Sequence, residues 1–306
     1  MTSLSACTAR GTLTTLPDTP DHQVQQIIAA TNRVSLDSAV RADRLSFSKI
    51  DVAVPEHREI GTVPVSGANA FSVLSRQNLD TEDALRAALQ NAPRNAPLTL
   101  WIHGYNNTAA EAIYRQAQLA IDAKMEGAQV TFVWPSAATA RGYVHDRDSV
   151  LHARQPLSDL LDTLDRVWPG DIVLVAHSLG AFLAMETLSW RNRGGHRANI
   201  NLRGLVLLQP DIATDVFRAQ VAGAGPLPEL SVVVASDADP ALWVSARVSQ
   251  SDRRLGAHTD PDFYMPLGFR LLDVSGISDA SQPHLVAFSS QAFLSYLSRL
   301  QRSDLS

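Results

Sequence analysis

Apolar positions along this chain follow two periods that alternate segment by segment. "PLTLWIHG" (97–104), "QVTFVWPS" (129–136), "DIVLVAH" (171–177), "LRGLVLLQPD" (202–211), "LSVVVASDAD" (230–239) and "FRLLDVSG" (269–276) are short, almost unbroken apolar runs. Each closes on small or polar residues, as strands buried on both faces do. Helical spacing fills the gaps between them. In "QPLSDLLDTLDRVWPG" (155–170), Leu157, Leu160, Leu161 and Leu164 share one face, and Pro169-Gly170 stops the pattern. "DTEDALRAALQ" (80–90) is a short helix with acidic residues in its first turn. Thr108 and Glu111 make a capping box for a helix expected to stop at Gly127. "LVAFSSQAFLSYLSRLQ" (285–301) reads as one closing amphipathic helix. "LSFSKIDVAVP" (45–55) and "EIGTVPVSG" (59–67) read as an antiparallel hairpin at a sheet edge. The alternation as a whole predicts a mainly parallel sheet flanked by helices.

Composition narrows this only slightly. With 306 residues, 45% hydrophobic and 19% charged, the chain can bury one sizeable core, expected over residues 23–306. The formal net charge of -5 gives no basic excess for binding nucleic acid. No apolar run is long enough for a membrane-spanning helix. Residues 1–22 are polar and rich in Thr and Pro, and are expected to form a flexible tail. They contain the one cysteine, Cys7, preceded by Leu4, Ser5 and Ala6. Leu-Ser-Ala-Cys resembles a bacterial lipoprotein processing box, but a working signal needs an apolar stretch upstream, where only three residues stand. The expectation therefore divides. If the true N-terminus lies upstream, this is a cell-envelope lipoprotein that meets a membrane only through Cys7; otherwise it is cytoplasmic.

Candidate chemistry concentrates where "DIVLVAH" runs into "SLGAFLAMETL". Ser178 stands at an abrupt strand-to-helix junction with Ala176 and Gly180 two places to either side. That is the pattern of a nucleophile elbow, G-x-S-x-G, with Ala in the first small position. The plainer alternative is a serine that caps the helix. As an elbow, the turn aims the Leu179 N–H at a developing oxyanion. A serine hydroxyl needs a base, and in this architecture the chain order is Ser, acid, His. His284 follows the last strand and is favoured over His258, which precedes it. For the acid, Asp237 and Asp239 end one strand and Asp211 ends the strand before. The second oxyanion donor is expected from "LWIHGYNNT": Tyr105 N–H, with Gly104 permitting close approach and His103 bracing the loop. His177 is read as pocket wall. His145, Asp146 and Asp148 in "VHDRDS" fit no metal-ligand spacing and are read as a hydrogen-bonded loop over the site.

Taken together these motifs resemble a bacterial family of α/β-hydrolase-fold proteins in the esterase/lipase superfamily. Its members are mostly uncharacterised, and several begin with lipoprotein signals. The resemblance runs in order through "IIAATNR", "DVAVPEHREIGTV", "LWIHGYNNTAAEAIYRQAQLA", "TFVWPS", "GYVHDRDSV", "VAHSLGAFLAMETL", "LLQPDIATDVF", "SDADPALWVS" and "RLG". It implies Ser178 as nucleophile, His284 as base and Asp239, in its D-x-A-L context, as acid. Asp211 lies in a shared "PD" and stays the alternative acid. Two departures are visible: Leu179 stands where Met is more usual, and "PHLVAF" stands where the family has an H-S-Y-like stretch. The implied protein is a serine hydrolase of small-molecule carboxylic esters that needs no metal or cofactor. The short connection at 212–229 leaves no room for a large lid. Rival readings are an acyltransferase or thioesterase on the same triad, and a binding protein that keeps the fold without catalysis.

Overall fold

The structure, a computed structural model, describes residues 10–16, 21–67, 69–194, 200–237, 254–276 and 286–300. Its centre is a nine-stranded sheet in the order β3-β2-β1-β5-β4-β6-β7-β8-β9. The strands are β1 (His22–Arg33), β2 (Arg41–Pro55), β3 (Ser72–Asn78), β4 (Leu98–Ile102), β5 (Gln129–Val133), β6 (Ile172–His177), β7 (Leu202–Leu208), β8 (Leu230–Ala235) and β9 (Arg270–Asp273). Only β2 runs against its neighbours; β1 pairs in parallel with β5, and every pairing from β5 to β9 is parallel.

Burial on both faces explains the unbroken apolar runs. Leu98, Leu100 and Ile102 of β4 point into one core with Leu174, Leu205 and Val233. That core is covered by α1 (Glu82–Leu89), α3 (Tyr143–Val167), α4 (Leu179–Arg193) and α5 (Thr214–Ala224). Trp101, Val173, Val175 and Val206 point to the other face. There they meet the end of α2 (Ala109–Asp122) and two short C-terminal helices, α7 (Val286–Ser289) and α8 (Gln291–Leu300). A further helix, α6 (Pro261–Tyr264), buries Tyr264 in the first core. Fully burying one such Leu or Phe contributes about 1.5–3 kcal/mol, so the central strands draw stability from both cores.

Five sequence expectations are corrected. Residues 59–67 are not a strand: Gly61 and Gly67 take φ of +83° and +92°, and the segment is held to α2 by Asp122, which accepts from Gly61 N–H at 2.8 Å. The antiparallel hairpin is instead β1 with β2, and β3 forms the edge. The α2 helix ends at Asp122, well before Gly127, because Lys124 turns to a φ of +51°. The closing helix is two pieces, parted at Ser290. "VHDRDS" is not a loop but the first turns of the 25-residue helix α3. Finally, residues 10–16 of the expected flexible tail are docked. Leu16 N–H donates to Val73 O at 2.9 Å and Val73 N–H to Thr14 O at 3.0 Å, while Tyr114 Oη donates to Thr12 O at 2.8 Å.

Candidate active site

β6 ends in the middle of the sheet, and α4 begins at the very next turn. Ser178, the residue between them, takes φ 52° and ψ -121°. Outside glycine this region is rarely occupied and costs on the order of 1–3 kcal/mol, so surrounding structure must impose it. The imposing contacts are backbone hydrogen bonds: Ser178 N–H to Leu208 O at 2.9 Å, and Asp211 N–H to Ser178 O at 3.2 Å. Ser178 makes no side-chain cap hydrogen bond to its helix. It occupies the N-cap position without the hydroxyl cap that the plainer reading supposes.

Packing at the turn explains its small neighbours. A Cβ on Gly180 would strike the carbonyl oxygen of His103 and stand 2.7 Å from that of Ile102. A Cβ on Gly104 would lie 2.8 Å from His177 Nδ1 and 3.0 Å from Ser178 Cβ. The loop after β4 and the elbow are thus in backbone contact, which puts the Gly104–Tyr105 peptide beside Ser178.

Three consecutive peptides of that loop are held in place. His103 Nδ1 lies 2.8 Å from Gly104 O, and its ring stacks on Trp134 with centroids 4.8 Å apart. Burial, with Arg33 nearby, pushes the imidazole pKa down to about 3, so the ring is neutral and carries one proton. Trp134 O, 3.2 Å from Nε2, already accepts Nε and Nη2 of Arg33 at 3.1 and 2.8 Å. The proton therefore belongs on Nδ1, donated to Gly104 O. In a trans peptide C=O and N–H point opposite ways, so this bond turns the Tyr105 N–H away from His103. The next peptide is fixed by Asn106 N–H, which donates to Asp146 Oδ2 at 3.1 Å, and by Asn107 Nδ2, which donates to Tyr105 O at 2.7 Å. Asn107 N–H donates in turn to Ser136 Oγ at 3.2 Å. Asp146 is fully buried and also accepts from Ser136 Oγ and Ala137 N–H, both at 2.6 Å.

Aromatic and charged groups pack around these segments. The Tyr105 phenol donates to Ala140 O at 2.6 Å and meets Tyr143 edge to face. Burial, and then Asp146, raise its pKa above the ordinary value. Tyr143 Oη donates to Asp211 Oδ2 at 3.0 Å, and Arg254 Nε lies 3.1 Å from Asp211 Oδ1 in a buried ion pair. His177 is buried between Trp101, stacked at 6.3 Å, and Phe288, edge-on at 5.1 Å. His258 sits beside Phe263 and Tyr264. Asp239 and His284 lie outside the described residues, as does Cys7. Tyr143 and Arg254 were not singled out from sequence, and Asp146 was read only as part of a hydrogen-bonded loop over the site. A periodicity argument has no signal for Arg254, a charged side chain buried beside Asp211. Among the described residues no cluster of His, Cys, Asp and Glu could hold a metal ion, and no helix is long and apolar enough to cross a membrane.

This geometry defines an α/β-hydrolase fold, and comparison with known proteins places the chain within it. Residues 77–297 match the family described as alpha/beta hydrolase of unknown function (DUF900), and the chain belongs to that family. No curated protein matches it. Solved structures show low-identity likenesses. An esterase from Pyrobaculum calidifontis is 13% identical, with 93% of this chain and 86% of that one covered and a TM-score of 0.43. A thermophilic carboxylesterase cloned from a metagenomic library is 12% identical, covering 93% and 88%, with a TM-score of 0.42. A poly(3-hydroxybutyrate) depolymerase from Bordetella parapertussis is 14% identical, covering 86% and 87%, with a TM-score of 0.44.

Proposed function

We propose that this protein is a serine hydrolase that cleaves small-molecule carboxylic esters through Ser178, His284 and Asp239. The observation that carries the reading is the backbone of Ser178, held at φ 52° at the β6–α4 junction with the Gly104–Tyr105 peptide packed against it. A serine serving only as a cap has no need of that strain.

In the proposed reaction Ser178 Oγ attacks the acyl carbonyl carbon while His284 takes its proton. The N–H groups of Leu179 and Tyr105 hold the oxyanion, and the N-terminus of α4 adds its dipole. His284 then gives the proton to the departing alkoxide oxygen. A water deprotonated by His284 attacks the acyl-enzyme, and the acid leaves as Ser178 recovers its proton. No metal or organic cofactor enters the cycle.

Phe288 anchors the chain near the elbow on the side of the base, and the acid follows the end of β8. Phe288, against His177, lies four residues beyond His284, at most ~14 Å of extended chain. Asp239 lies two residues beyond Asp237, whose N–H is tied to Ser275 Oγ at 3.0 Å. Asp239 is preferred to Asp211 because both oxygens of Asp211 already face Arg254 and Tyr143.

The test is labelling with a fluorophosphonate probe, followed by peptide mapping, on wild type and Ser178→Ala. Label on Ser178, lost in the variant together with hydrolysis of p-nitrophenyl esters, is the expected result. A folded wild type that neither takes the label nor hydrolyses short-chain esters would overturn the reading.

A further inference from the structure

Residues 10–16 reach the candidate site from a distant part of the chain, and one side chain does most of the reaching. Arg10 Nε and Nη2 form a two-point pair with Glu111 Oε1 and Oε2 at 2.9 and 2.7 Å. Its Nη1 donates to Asn106 Oδ1 at 2.9 Å, and Nη2 also donates to Asn106 O at 2.7 Å. Around it, Gly11 N–H donates to Glu111 Oε1 at 3.3 Å, and Thr108 Oγ1 donates to Gly11 O at 3.0 Å. Every arm of the guanidinium is used, and a planar fork suits this arrangement where a single ammonium does not.

Asn106 needs holding. Its φ of +57° is left-handed, a conformation asparagine reaches at some cost. It stands next to Tyr105, whose N–H is the proposed oxyanion donor. His103 holds the carbonyl before that donor, and Asp146 holds the peptide after it, both from buried positions. The Asn106 carbonyl beyond them is held by Arg10, from a side chain 40% exposed.

We propose that Arg10 is a positioning residue for the oxyanion loop: it locks Asn106 in its left-handed conformation and so keeps the Tyr105 N–H aimed beside Ser178. The proposal rests on the hydrolase reading above. An exposed ion pair adds little to global stability, so loss of Arg10 disturbs the loop without unfolding the domain. It is also screened by salt, so rising ionic strength mimics that loss in part.

The experiment compares wild type, Arg10→Ala and Arg10→Lys for hydrolysis of p-nitrophenyl butyrate, with thermal melts as a control. Complete loss of one oxyanion donor lowers kcat by ~10²–10³, and a donor left in place but loosely held loses less, about tenfold. Arg10→Ala should therefore lower kcat about tenfold while KM and the melting temperature stay near wild type. Arg10→Lys should fall between, and millimolar methylguanidinium should restore part of the activity of Arg10→Ala. Wild-type kcat should fall with added salt, and that of Arg10→Ala should not. Equal kcat in wild type and Arg10→Ala, or a loss confined to KM, overturns the proposal while the hydrolase reading stands. If wild type proves inactive, the hydrolase reading fails, and amide hydrogen exchange still decides the geometry. Faster exchange at residues 105–107 in Arg10→Ala is expected, and unchanged exchange overturns the lock.

Discussion

Gly104→Ala separates the contact between loop and elbow from everything else in the domain. The added methyl would stand 2.8 Å from His177 Nδ1 and 3.0 Å from Ser178 Cβ, where ordinary contact begins at 3.4 Å. Neither neighbour yields cheaply. The imidazole is sandwiched between Trp101 and Phe288, and Ser178 is already in a strained conformation fixed by backbone hydrogen bonds. The loop must therefore move outward by roughly half an ångström, carrying the Tyr105 N–H with it. Overpacking of this kind costs ~1–3 kcal/mol of stability. If losing a donor outright costs ~10²–10³ in rate, displacing one should lower kcat by ~10–10² with a smaller change in KM. Steady-state hydrolysis of p-nitrophenyl acetate gives the kinetic half, and urea denaturation gives the stability half. A variant with kcat within twofold of wild type would refute the reasoning, because the methyl cannot fit without moving one of the two walls of the proposed oxyanion hole.

Two further substitutions probe the scaffold of the loop. His103 binds no proton in the folded state until about pH 3, whereas in the unfolded chain it does so near 6.5. The unfolded state thus binds more protons between these values, and stability falls as pH drops from 6.5 toward 3, by up to about 1.4 kcal/mol per unit; His103→Gln should flatten that slope in denaturation series across this range, and an unchanged slope would count against the neutral, buried imidazole. Asp146→Asn replaces one of two accepting oxygens with an NH2 group that must face either Asn106 N–H or Ala137 N–H; hydrogen bonds to a charged group are worth ~1.5–3 kcal/mol each, so it should lower both the melting temperature and kcat.

Much of this architecture was legible in the sequence, for a definite reason. β4 to β8 are buried on both faces, so burial wrote itself into unbroken apolar runs, and the junction bearing Ser178 stands out because Gly180 is forced by backbone contact with β4. β3 was not legible, since only Ser72 and Val73 of "SVLSRQN" are buried and the strand shows no alternation. The docked segment 10–16 was missed for a similar reason. Its attachments are backbone pairs and a guanidinium fork, neither of which has a period. Asp146 and Arg254 look like surface residues until the partners that bury them are known; the partner of Arg254 lies more than forty positions away, in Asp211.

One of those attachments acts away from the candidate site altogether. β3 is an edge strand, and an uncovered edge is a template on which another chain can add a strand. Here its buried end is already taken, because Thr14 and Leu16 pair with Val73, while its outer half carries Arg76 and polar side chains. At the opposite edge, β9 ends on Arg270 and Asp273. Among the described residues, the sheet therefore offers a second molecule no long, flat, apolar border. In crowded solution or during refolding, when strand addition competes with folding, the pairing at Val73 works as a guard against aggregation.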